Sequence, residues 1–183
     1  GSLVLDNPII TASGILGTTS SSMEVLYDKG AGAIITKSTS LNSKNGNLNP
    51  TVVSTPSGIL NAMGLPNPGI KEMAKEVKIL TKKGIPIIGS VFGLDENEFI
   101  EVALKFQEAG VIAVELNISC PHEKVSQIGQ SCELSYNIVK NVKKNISVPV
   151  IVKLTPNVTD IVEIALEIEK AGADAITAIN TVK

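Results

Sequence analysis

Glu108-Ala109-Gly110-Val111-Ile112-Ala113-Val114-Glu115-Leu116-Asn117-Ile118-Ser119-Cys120-Pro121 is the stretch whose reading decides the fold. It runs from the end of a helical pattern, through a glycine, into a short β-branched run that closes on polar residues. Gly110 stands where a left-handed residue stops a helix and turns the chain into the next strand. The same punctuation recurs at Lys29-Gly30, Lys83-Gly84 and Lys170-Ala171-Gly172. Working outward, β-branched runs at 9–11, 33–36, 86–91, 113–116, 148–154 and 175–179 alternate with helical patterns. These helical patterns lie at 22–29, 70–83, 96–109, 134–145 and 160–171. In the last of them Ile161, Ile164, Ala165 and Ile168 share one face, and Glu163, Glu167 and Lys170 share the other. Asp160, with Glu163 three residues on, is a helix-start signal. Apolar strands separated by helices imply a parallel sheet buried on both faces.

Two α/β architectures fit this order: an open doubly wound sheet and a (β/α)8 TIM barrel. No GxGxxG or GxxxxGK[ST] phosphate loop follows the first strand, which disfavours the first. Polar residues recur at strand ends, at Ser13, Lys37, Ser90, Asn117, Lys153 and Asn180, which favours the barrel. Barrel active sites gather at that end. A complete barrel takes about 250 residues. The 183 residues contain six of its eight βα units. The expectation is therefore one domain over 1–183, incomplete, with about two units beyond Lys183. Two connections, 38–69 and 118–131, read as long irregular loops on the active face.

Composition narrows the function. The formal net charge of -2 argues against nucleic acid or an anionic membrane as the main partner. No apolar run approaches the ~20 residues of a membrane span, and no leader pattern opens the chain, so a cytoplasmic protein is expected. All 16 cationic side chains are Lys. Without Arg, anions must be held by Lys, Asn amides or backbone N–H groups. Cys120 and Cys132 do not form a CxxC pair, and His122, the only His, has no companion at metal-ligand spacing.

The chemistry-bearing candidates follow from position. Cys120 closes a strand beside a long loop and could serve as base or nucleophile, or be a buried structural thiol. Lys37 and Lys153 stand among β-branched residues, where an ammonium must find an anion or shift its pKa. A lysine snorkelling past the sheet rim is the alternative, the two being even for Lys37. Glu115, mid-strand, reads as an internal counter-charge with a structural role. Asn61-Ala62-Met63-Gly64-Leu65-Pro66-Asn67-Pro68-Gly69 offers a close backbone approach at Gly64, although as a bare pattern it is a turn before a helix.

Together these segments resemble the class 1 dihydroorotate dehydrogenases, most closely the class 1B catalytic subunit. The resemblance is carried in order by Asn7-Pro8-Ile9-Ile10-Thr11-Ala12-Ser13-Gly14, Thr36-Lys37-Ser38-Thr39, Leu60–Gly69, Glu115–Pro121, Val152-Lys153-Leu154-Thr155-Pro156 and Ile179-Asn180-Thr181. It implies an FMN enzyme of pyrimidine biosynthesis that oxidises dihydroorotate to orotate. Cys120 would take the C5 proton, and the C6 hydride would pass to flavin N5. Lys37 would contact flavin and substrate. Asn61, Asn117 and Asn180, with the N–H groups of Met63, Gly64 and Leu65, would hold the pyrimidine and its carboxylate. Lys153 would neutralise the N1–O2 edge of the flavin. Ala12, Ser13, Gly14, Ser38, Asn117 and Ile179 would line the flavin. His122 stands where the family commonly has Asn. The family's flavin-phosphate loops would fall beyond Lys183; without them FMN binding would be weak or absent. The resemblance also implies a homodimer and a partner subunit carrying FAD and an iron–sulfur cluster. Rival readings are a pyrimidine-reducing flavin domain like that of dihydropyrimidine dehydrogenase, a Schiff-base aldolase on Lys153, and a non-catalytic barrel fragment.

Overall fold

The computed structural model describes residues 3–119 and 128–182. Five strands form one parallel sheet: β1 (Ile34–Ile35), β4 (Ile87–Val91), β5 (Ala113–Asn117), β6 (Val150–Lys153) and β7 (Ala175–Thr177). Their spatial order is β1-β4-β5-β6-β7, the order in which the chain visits them. No strand order reverses, so the sheet is wound in one direction as in a barrel, without the switch point of a doubly wound sheet. The expected strand at 9–11 shrinks to a single bridge between Ile10 and Ala33. The cause is local. The Thr11 hydroxyl accepts the Ile35 N–H at 3.0 Å, occupying a ladder position that a backbone carbonyl would fill.

Helices α1 (Ser20–Asp28), α2 (Ile70–Thr81), α3 (Glu96–Glu108), α4 (Cys132–Asn145) and α5 (Ile161–Lys170) connect these elements. A 3-10 turn, Ile15–Gly17, precedes α1. The side chains of Thr19, Asp95, Ser131 and Asp160 accept hydrogen bonds from the first turns of α1, α3, α4 and α5. Such caps satisfy donors that a helix start leaves free. The glycines read as helix stops do take positive φ, 99° at Gly30 and 89° at Gly110.

One expectation needs correcting. The connection 38–69 is not irregular throughout; it carries an antiparallel hairpin, β2 (Val52–Thr55) and β3 (Gly58–Asn61), turning at Pro56-Ser57. Its Asn, Pro and Gly content masks a short β-branched pair that stands out from the barrel, with β3 exposed at every residue.

The sheet has two apolar faces. Outside, Val114, Leu116, Val150 and Val152 share a core with Phe99 and Phe106 of α3, Val139 of α4 and Ile168 of α5. Each such fully buried side chain is worth about 1.5–3 kcal/mol. Inside, Ala33, Ile35, Ile88, Ala113 and Ile151 form a second cluster, against which Leu3 and Leu5 pack. Gly89 of β4 lets α3 approach closely, since a Cβ there would lie 2.5 Å from the Phe106 ring.

Candidate active site

Side chains alternate across a strand with period two. Ala113 lies in the inner cluster, so Glu115 and Asn117 face inward too; Ile151 carries Lys153 with it in the same way. Ile35 likewise directs Lys37 to the inner face. Asn117 stands opposite Lys153 in the ladder, and Lys153 opposite Thr177. Parallel register thus gathers polar groups at the C-terminal end of the sheet, above an apolar floor. Lys37, Ser38, Ser90, Asn117 and Lys153 are all buried there.

A chain of hydrogen bonds links this layer. Ser90 Oγ and Ser38 Oγ are 3.0 Å apart, and Asn117 Nδ2 donates to Ser38 Oγ at 3.0 Å. Asn117 Oδ1 accepts from Ser119 Oγ at 2.6 Å and from Asn180 Nδ2 at 3.3 Å. Asn180 Nδ2 also donates to Ser119 Oγ. The Asn117 amide is thereby fixed at both ends, its orientation set by neighbours from three strand ends.

The two lysines differ. Lys153 Nζ donates to Ser13 Oγ at 3.2 Å. Lys37 Nζ has no hydrogen bond or ion pair among the described residues, and its burial pushes the ammonium below the usual lysine range. The segment 13–17 passes over both. Gly17 O accepts the Lys37 N–H at 2.8 Å, and a Cβ on Gly17 would lie 2.5 Å from Ile35 O, so only glycine packs there without a shift.

Other candidates sit apart from this network. Asn61 is exposed at the end of β3, paired with Val52. Ala12 and Ile179 are exposed; Ser13 and Gly14 are half-buried. Beyond β3 the chain turns back toward the mouth. Gly64 has φ 72° and would meet Asn47 Oδ1 at 2.7 Å if it carried a Cβ. The N–H groups of Met63, Gly64 and Leu65 donate to no acceptor among the described residues. Three consecutive free donors suit an anion. Cys120 and His122 lie outside the described residues. The other thiol, Cys132, borders a polar cleft of about 630 Å³ between the starts of α4 and α5. Burial, then the carboxylates of Glu163 and Glu167, push the Cys132 thiol up, away from nucleophilic use.

Reading the sequence did not give Ser119, Asn67 or Thr177 a place in the site. Asn67 is the pin of the first loop: its Oδ1 accepts the N–H groups of Ser40 and Gly69, and its Nδ2 donates to Leu65 O. Between two prolines it resembled turn filler. Thr177 was legible in principle, two residues beyond inward-facing Ala175.

The residue types fit a flavin: two buried ammonium groups, one without a partner among the described residues, beside hydroxyl and amide donors. Among the described residues no group of three or more His, Cys, Asp or Glu could hold a metal ion, and no helix is long and apolar enough to cross a membrane.

A family model described as dihydroorotate dehydrogenase matches residues 2–183. A relative from Methanocaldococcus jannaschii, the catalytic subunit of dihydroorotate dehydrogenase B (NAD(+)), is 51% identical over 97% of this chain and 60% of its own length. Proteins of the same name from Methanocella arvoryzae and Malacoplasma penetrans are each 48% identical, over 100% and 97% of this chain and 61% and 59% of theirs. The chain thus spans about 60% of the length of the curated relatives it matches.

Proposed function

Because the chain belongs to the dihydroorotate dehydrogenase family, we propose that it houses the substrate side of an FMN-dependent oxidation of dihydroorotate to orotate in cytoplasmic pyrimidine biosynthesis. The observation that carries this reading is the pair of buried ammonium groups, Lys37 and Lys153, set beside the fixed Asn117 amide. FMN, when bound, would supply the two-electron acceptor for the hydride leaving substrate C6. Lys37, Lys153, Ser13, Gly14 and Ser38 would hold it, with Ala12 and Ile179 at its margin. A cation held in a dry site stabilises developing negative charge far more than one in water.

Asn117, Asn180 and Asn61 would orient the pyrimidine. The free N–H groups of residues 63–65 would bind its carboxylate, a task that falls to backbone and Lys in an Arg-free chain. Cys120 would accept the C5 proton. The relatives are named as catalytic subunits, which supports a second subunit; that it carries electrons through FAD and an iron–sulfur cluster, and that the core is a homodimer, belong to the same proposal.

The test is anaerobic. The flavin-loaded protein mixed with dihydroorotate should bleach near 450 nm, a typical flavin absorbance. Cys120→Ala should keep the flavin and lose bleaching by at least a hundredfold, the range of a general base. Reduction by dihydrouracil but not dihydroorotate, or undiminished bleaching in the variant, would sink the assignment.

A further inference from the structure

Glu115 is fully buried, and the reaction outlined above does not use it. Its Oε2 accepts a 2.8 Å hydrogen bond from Thr177 Oγ1, reaching across β6. Its Oε1 is buried with no hydrogen-bond partner among the described residues. The ion pairs of the described residues all lie elsewhere, on the surface. Glu115 pairs with Ile151, one inward-facing layer beneath the Asn117–Lys153 pair, roughly 7 Å along the strands. Among the described residues, Lys37 and Lys153, 8% and 7% exposed, are the other buried charged groups of this interior. Between buried groups, one charge changes the energy of another severalfold more than it would in solvent.

We propose that Glu115 is a positioning residue that acts through Lys37 and Lys153: a carboxylate anchored by Thr177 beneath the mouth, which limits the net positive charge the two ammonium groups present to an anionic ligand. The proposal rests on the reading that this mouth holds a flavin and a carboxylate substrate. Among the described residues, two cations less one anion leave a single positive charge. That is enough to favour negative charge during reaction without trapping the anionic product.

Glu115→Gln keeps an acceptor for Thr177 and removes the charge; Thr177→Val removes the anchor and keeps the charge. In the FMN-loaded protein, Glu115→Gln should bind orotate roughly tenfold more tightly. The two-electron flavin equilibrium should move tenfold toward the reduced form, about 30 mV. Thr177→Val should move both much less.

A second readout needs no flavin. Removing the Glu115 charge should favour the neutral Lys37 amine, so acetylation of Lys37, followed by mass spectrometry, should reach half its maximum at a roughly tenfold higher proton concentration. Among the described residues, the buried charged groups that share the inner face with Lys37 are Glu115, the register partner of Ser90 on the intervening β4, and Lys153 on β6; Lys44 is held over the Phe92 ring at 4.7 Å. An unchanged flavin potential and an unchanged labelling profile in Glu115→Gln would overturn the proposal. So would an equal response from Thr177→Val, the mark of a packing role. If the FMN-loaded parent protein is not bleached by dihydroorotate, the proposed function fails, and the labelling profile alone decides Glu115.

Discussion

Lys37 holds a buried ammonium with no partner among the described residues, so the folded protein carries it at a cost. Its folded pKa is depressed. Between that value and the unfolded one, the unfolded chain binds more protons, and stability rises with pH across this window. Lys37→Met should therefore stabilise the flavin-free protein by about 1 kcal/mol at pH 7, and the gain should shrink as pH climbs toward 10.5. Urea denaturation at the two pH values checks this. The same variant should lose orotate affinity, a trade between stability and function. The position of Lys37 at a strand end was plain in the sequence. Its lack of a partner was not, because that depends on which strands converge and which side chains they bring.

At the scale of elements, two close approaches carry much of the geometry. Gly89 admits the Phe106 ring, and Gly89→Ala should cost about 2 kcal/mol by overpacking. Adding Phe106→Leu should recover part of that loss in thermal denaturation. Asn67 pins both ends of the loop that bears residues 63–65. Asn67→Ala strands two buried N–H groups, at roughly 2 kcal/mol, and should make that loop a preferred site of limited proteolysis. Helices, their glycine stops and the inward residues of the strands were legible because each is set by local periodicity. The hairpin at 52–61 and the reduced strand at 9–11 were not. The first is four residues a side within turn-forming sequence, and in the second the strand's own Thr11 hydroxyl takes the N–H of Ile35, 24 residues on, in place of a backbone carbonyl.

For the whole molecule, the β7 side of the sheet is the informative flank. Leu154, Val162, Leu166, Ile176 and Ala178 border an apolar groove of about 290 Å³ there, and Val162 and Leu166 are 60% and 50% exposed. The 183-residue chain should self-associate at micromolar concentration through this flank. Leu166→Lys should weaken association roughly tenfold, the worth of about 1.5 kcal/mol of apolar burial, as read by sedimentation velocity. An association constant untouched by that change would place the contact elsewhere. The order of helices and strands left the winding direction open; the polar strand ends and the missing phosphate loop are what pointed to the barrel, and nothing in local periodicity marks this flank.

The segment from Ser13 to Gly17 touches Lys153 at one end, through a hydroxyl, and the backbone of Lys37 at the other. It therefore acts as a chord across the curl, joining the first parallel strand to the fourth without passing through the sheet. An incoming anion that draws the Lys153 ammonium off Ser13 slackens that chord. Gripping an anion there would then mean releasing a tether.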